Sequence, residues 1–157
     1  MNEVVLQPMT PHELAAFRQV QLDAYITQRV EFGGENRAEA TRIATEQHAR
    51  FFPDGRPADG HRLFTGRTHD GTRIGILWLF RKSDSSVWIY DIEVDLPFRG
   101  RGLGRGLMLA AHGWADSQGA TVVELNVFGG NAVARRLYAS LGYTESSVHM
   151  ARHLRES

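Results

Sequence analysis

The sequence predicts an α+β fold, a mixed but mostly antiparallel sheet flanked by helices in the order β-α-α-β-β-β-α-β-α-β. Three observations carry this. Three extended runs follow one another between His61 and Val94, with Asp70-Gly71 as a hairpin signal between the first two, which describes an antiparallel meander. Two helical patterns with capping signals precede it. After it, a helical stretch separates Val87–Val94 from the β-branched run Thr121–Val127, a helix-crossed strand pair. At 157 residues the whole chain, 1–157, fits one domain.

Taken in order, Val4 to Gln7 is a short strand closed by Pro8. Thr10-Pro11-His12-Glu13 is a capping box with proline at the first helical position, and Leu14, Phe17, Gln21, Leu22 and Tyr25 keep helical spacing to about Arg29, before Gly33-Gly34 stops it. Asn36 caps a second helix whose weakly apolar side, Ala40, Ile43, Ala44 and Gln47, suits a surface helix or one lying over a cleft. Phe51 to Gly60 is either a lid or substrate loop or a plain connector with Phe51 or Phe52 anchored in the core. The strands His61–Thr68, Arg73–Phe80 and Val87–Val94 follow. Leu103, Leu107, Ala110, Ala111 and Trp114 mark the buried stripe of a helix ending near Gly119. Asn131 caps a helix from Ala132 to Leu141, closed by Gly142, and Tyr143 to about Leu154 is the last expected strand.

Composition narrows the function. Lys+Arg and Asp+Glu both number 18, which argues against a general nucleic-acid or membrane-surface binder and leaves Arg99, Arg101 and Arg105 as a local basic patch. With no cysteine, a thiolate nucleophile, a disulfide and a Cys-type zinc site are excluded. His149 and His153 stand four apart on an expected strand, too long a span for one ion, so no metal is expected. The N-terminal residues carry no signal-peptide pattern and no run reaches the length of a membrane span, so a cytoplasmic protein is expected.

The strand Val87–Val94 runs into Arg99-Gly100-Arg101-Gly102-Leu103-Gly104 and then a helix. Glycines allow close backbone approach, and the open N–H groups and dipole of a helix's first turn attract phosphate. The spacing fails the dinucleotide fingerprint in every register, and with Lys82 the only lysine it also fails the Walker pattern. A glycine-rich surface turn is the plain alternative. What fits is Arg-x-x-Gly-x-Gly, as Arg99, Gly102 and Gly104, which resembles the coenzyme A loop of the GCN5-related N-acetyltransferases, the GNAT superfamily. A second signature of that family, Asn-x-x-Ala-x-x-x-Tyr-x-x-x-Gly-Tyr, is matched downstream by Asn131, Ala134, Tyr138, Gly142 and Tyr143.

The resemblance implies a GNAT-like sheet and an acyltransferase that moves acetyl from acetyl-CoA, a co-substrate, to a primary amine of a small molecule or peptide. Transfer would be direct, since no cysteine can carry an acyl group. It implies that Arg99, Gly100, Arg101, Gly102, Leu103 and Gly104 hold the pyrophosphate and that Ile92 and Val94 offer backbone groups to the pantetheine arm. Asn131 would contact that arm, or simply cap its helix. Tyr138 would stand near the sulfur, where a phenol can protonate a departing thiolate; its plain role is packing. Glu93 is the expected base and Asp91, on the same strand face, its rival. A backbone N–H near Val94 would meet charge on the acetyl oxygen. Trp78, Tyr90 and Asn126 are candidate acceptor contacts, with Glu124 sharing the expected strand face of Asn126. The other readings are a non-catalytic acyl-CoA-binding regulatory module and an acetyltransferase of protein N-termini or lysines. The expected partners are acetyl-CoA and an amine, with neither nucleic acid nor membrane, and homodimers are common in the family.

Overall fold

In the computed structural model, which describes residues 3–155, the signals for the first helix act as the sequence predicts. β1 (Val5–Pro8) leads to α1 (Pro11–Gly33), where the Thr10 hydroxyl accepts from the Glu13 N–H at 3.1 Å and the Glu13 carboxylate accepts from the Thr10 N–H at 3.0 Å. Glu13 also accepts from Thr65 and Arg67, at 3.0 and 2.9 Å, which ties the start of α1 to the sheet. Its carboxyl is held below the usual range, by the Thr10 N–H first, then Thr65 and Arg67, against the opposing effect of burial. The helix runs four residues past Arg29 because nothing breaks it until Gly34, which adopts a left-handed conformation at φ 69°. Met1 and Asn2, where the N-terminal reading begins, lie outside the described residues.

The chain divides into two compact units, Met1–Leu125 and Asn126–Ser157. In the first, α2 (Arg37–Phe51) starts at Asn36, whose side chain accepts from the Glu39 N–H at 2.8 Å. Ala40 and Ala44 are fully buried against Ile26, their small side chains letting α2 lie close on α1. The connector is anchored as expected, with Phe52 only 2% exposed. The meander is β2 (His61–Arg67), β3 (Arg73–Arg81) and β4 (Ser86–Val94). The glycine bend then leads to α3 (Leu103–Ser117) and β5 (Val122–Leu125). The five strands stand in the order β1-β2-β3-β4-β5, antiparallel except for the parallel β4–β5 pair. One face of the sheet packs Leu103 and Leu107 of α3 on Val4 and Ile74. The other packs Phe17 of α1 and Phe52 on Leu63, Ile76 and Trp78. Sequestering these side chains is the main stabilising contribution, roughly 1.5–3 kcal/mol for each large one fully buried.

The second unit holds α4 (Ala132–Ser140), capped by Asn131, whose side chain accepts from the Ala134 N–H at 3.2 Å, with Gly142 at φ 92° after the helix. The strand expected from Tyr143 to Leu154 is not formed: residues 143–155 carry no strand. The apolar residues that suggested alternation are isolated among serine, histidine and arginine, and Val148, Met150 and Leu154 are 63%, 85% and 85% exposed. A period of two makes a strand only where a neighbouring strand and a buried face reward it, and this segment has little apolar surface to bury. β5 is also shorter than expected and ends at Leu125, so Asn126 is not part of it.

Candidate active site

The glycine bend takes its shape from backbone requirements. Gly100 and Gly102 sit at φ 76° and 78°, left-handed conformations that side chains disfavour, and Gly102 is the N-cap of α3. Lacking a side chain, Gly102 leaves the first N–H groups of α3 without a side-chain cap. The Gly106 N–H donates to the Gly102 carbonyl at 3.2 Å, so the helix begins at the bend itself. Arg99 closes the bend from behind, its Nε donating to the Val94 carbonyl at 2.8 Å. Arg101 lies over the Phe98 ring, 5.8 Å from its centroid. The bend and helix start fit a pyrophosphate.

The last residues of β4 form an open edge. Parallel pairing with β5 runs from Ser86↔Val122 to Ile89↔Leu125 and stops, and at that point β4 carries a bulge. Trp78 pairs with Asp91 and Leu79 with Ile89, leaving Tyr90 as the extra residue. Beyond it, Asp95 donates to the Ile74 carbonyl at 2.8 Å, and the alternation of an antiparallel ladder then turns Glu93's backbone toward β3 and those of Ile92 and Val94 outward. These are the two residues whose backbone groups were expected to face an extended ligand arm. Gly75, which the sequence reading missed, permits this packing. A Cβ there would lie 2.1 Å from the Glu93 carbonyl oxygen, and a glycine inside a strand pattern was the available signal.

On the other face of β4 lies a cleft of about 190 Å³. α1 contributes Gln21 and Tyr25, α2 contributes Ala44, Gln47, His48 and Phe51, and the strands contribute Trp78, Tyr90 and Asp91. Trp78 and Tyr90 both line this cleft, and Trp78, 2% exposed, is a core residue as well. α2 lies over this cleft. The bulge explains why Tyr90 and Asp91, consecutive on a strand, both reach it. Among the described residues, Asp91 is the one acid on the lining. Burial first, and then the charge of Glu93, push its carboxyl up to about 7. Glu93 is exposed and does not line the cleft. Of the two rival acids, Asp91 thus has the enclosed position. Glu124, offered with Asn126 as a contact, instead accepts from the Ser86 hydroxyl at 2.7 Å and stands 3.7 Å from Lys82. Asn126 is exposed in the second unit.

That unit also holds Tyr138, at the end of the second turn of α4, half-buried with its ring 5.8 Å from that of Tyr143. Burial, and then the Tyr138 phenol, push the Tyr143 hydroxyl up to about 12. With its side-chain oxygen engaged in capping, Asn131 keeps its amide N–H groups as donors.

The model of the acetyltransferase (GNAT) family matches residues 22–143. The chain is 28% identical over 152 residues to the uncharacterized N-acetyltransferase YdgE of Bacillus subtilis, covering 95% of this chain and 97% of that one. The crystal structure of YycN, an uncharacterized N-acetyltransferase of the same organism, superposes with a TM-score of 0.86 at 26% identity, covering 98% of this chain and 99% of that one. AAC(6')-Iy, in complex with the bisubstrate analog CoA-S-monomethyl-acetylneamine, shares the fold with a TM-score of 0.59 at 17% identity over 98% and 99% of the two chains.

Proposed function

Because the chain belongs to the acetyltransferase (GNAT) family and is an acetyl-CoA-dependent acyltransferase, we propose that it passes the acetyl group directly to a primary amine of a small molecule held beside Asp91. The observation that carries this reading is Asp91 itself, a half-buried carboxyl raised to about 7 in an aromatic-walled cleft on the strand whose outer edge is open. A base is most effective with a pKa near the working pH. An alkylammonium titrates near 10, like lysine, and must lose a proton before its nitrogen can attack.

In this reading the N–H groups at the start of α3 and the bend from Arg99 to Gly104 hold the pyrophosphate, while the backbones of Ile92 and Val94 and the Asn131 amide hold the pantetheine arm. Asp91 accepts the ammonium's proton, directly or through a water, and passes it to solvent, and it takes a second proton from the nitrogen as the tetrahedral intermediate collapses to the amide. The Val94 N–H, turned outward from β3, supports charge on the acetyl oxygen as the nitrogen–carbon bond forms. When the carbon–sulfur bond breaks, Tyr138 supplies a proton to the thiolate, which it regains from solvent. Support for Asn131 and Tyr138 is the family pattern they match, and for Asp91 the cleft. Glu93 acts on Asp91 through its charge.

Release of free coenzyme A thiol from acetyl-CoA, followed with a thiol reagent against a mixed panel of amines, tests the proposal. Amine-dependent release supports it. Binding of acetyl-CoA without release under any amine would make the protein a binding module, and release only with peptide substrates would move the acceptor to proteins.

A further inference from the structure

The cleft has a chemical character that reaches beyond acetyl transfer as such. Trp78 and Tyr90 stack with planes 25° apart and centroids 5.1 Å apart, and Phe51 stands edge-on to both, at 5.3 and 5.4 Å. The Trp78 indole N–H is already used, donating to His61 Nδ1 at 2.9 Å, so the indole presents only apolar ring surface. Tyr90 is 42% exposed and offers a ring face to an incoming molecule. Against these rings the lining sets, among the described residues, a single acid, Asp91, and no free cation. His48 Nε2 accepts from Arg18 at 3.4 Å while Nδ1 faces the Gln21 carbonyl oxygen at 3.4 Å, an arrangement for the neutral ring. Arg18 is itself engaged with His48, the Gly55 carbonyl and the face of Phe52.

Resting on the acetyltransferase reading above, we propose that the acceptor is a small arylalkyl monoamine without a carboxylate, its amino group at Asp91 and its ring among Phe51, Trp78 and Tyr90. The charge inventory excludes the alternatives by chemistry. Among the described residues of the lining, a second ammonium, as in a diamine or an aminoglycoside, has no second acid to meet, and an amino acid's carboxylate has no cation. About 190 Å³ is smaller than the roughly 300–1,000 Å³ that houses drug-sized ligands and suits one ring with a short chain. An ammonium beside an aromatic face is attracted by the ring quadrupole, so the same walls that receive the ring also favour the protonated amine on entry.

The test compares 2-phenylethylamine, putrescine and phenylalanine as acceptors at saturating acetyl-CoA. The expected kcat/KM is highest for 2-phenylethylamine, by about tenfold or more. Tyr90→Ala is expected to raise its KM by about 3- to 30-fold while leaving the KM for acetyl-CoA unchanged. In a second variant, Gln47→Glu, an added acid on the lining is expected to shift preference toward putrescine. Preference of the unaltered protein for putrescine or phenylalanine, or an unchanged 2-phenylethylamine KM in Tyr90→Ala, overturns the acceptor class and leaves acetyl transfer standing. Absence of thiol release with every amine overturns the acetyltransferase reading, and the acceptor class with it.

Discussion

The edge and one face of the last residues of β4 offer different groups for recognition. At the glycine bend and the outward edge of Ile92 and Val94, the groups on offer are main-chain N–H and C=O, placed by left-handed glycines and by an interrupted strand pairing. In the cleft beside Asp91 they are side chains from two helices and two strands. A backbone site fits any ligand with the right shape and charge, and it is the same whatever amine is served. A side-chain site is free to change with the acceptor. If the backbone edge holds the donor and the cleft the acceptor, as proposed, substitutions at the two separate by which substrate they affect.

Asp91→Asn is the largest expected break. It removes the base while leaving the volume, so kcat is expected to fall by about 10²–10⁴ and the acidic limb near pH 7 to vanish, with little change in acetyl-CoA binding. The fold responds in the opposite direction. Asp91 is protonated in the native state up to about pH 7 but ionises near 4 when unfolded, so the contribution it makes at low pH is lost as pH rises through 7. Thermal unfolding should show the asparagine variant more stable at pH 8, by on the order of a few kcal/mol, with the difference gone below about pH 4. An unchanged pH–rate profile would return the base role to Glu93.

Tyr138→Phe comes next. Loss of the phenol is expected to lower kcat by about 10²-fold while the KM for acetyl-CoA stays within about twofold, a split that packing alone would not produce. Steady-state kinetics with both substrates varied reads it directly. Gly102→Ala acts on the donor end only: a left-handed residue with a Cβ costs about 1–2 kcal/mol, so the KM for acetyl-CoA is expected to rise about 5- to 30-fold with the amine's KM unchanged.

The same division explains what could be read from the sequence. Thr10-x-x-Glu13, Asn36, Asn131 and the glycines of the bend were legible because a cap or a positive φ admits few residue types. Trp78 and Tyr90 were legible as neighbours across strands. The choice between Asp91 and Glu93 was not, since alternation puts both on one face and only the cleft that α1 and α2 close against the sheet takes in one of them. Nor was the bulge at Tyr90, which lies in an unbroken β-favouring run and arises where β4 parts from β5. Tyr143 to Leu154 failed for the converse reason, alternation without apolar surface to bury.

The smallest expected effect probes the coupling between the two acids. Glu93 stands on the strand face of Asp91, and its negative charge is the second cause, after burial, that keeps the Asp91 proton on. Glu93→Gln removes that charge and leaves the burial. Asp91 then ionises at lower pH, so the acidic limb of kcat/KM is expected to move down by less than about one unit, with the plateau rate nearly unchanged. Were Glu93 the base, the same substitution would instead lower the plateau itself and erase the limb. A pH–rate profile from 5 to 9 therefore assigns the proton to one acid or the other, because a neighbour's charge only displaces the titration whereas the base's removal abolishes it.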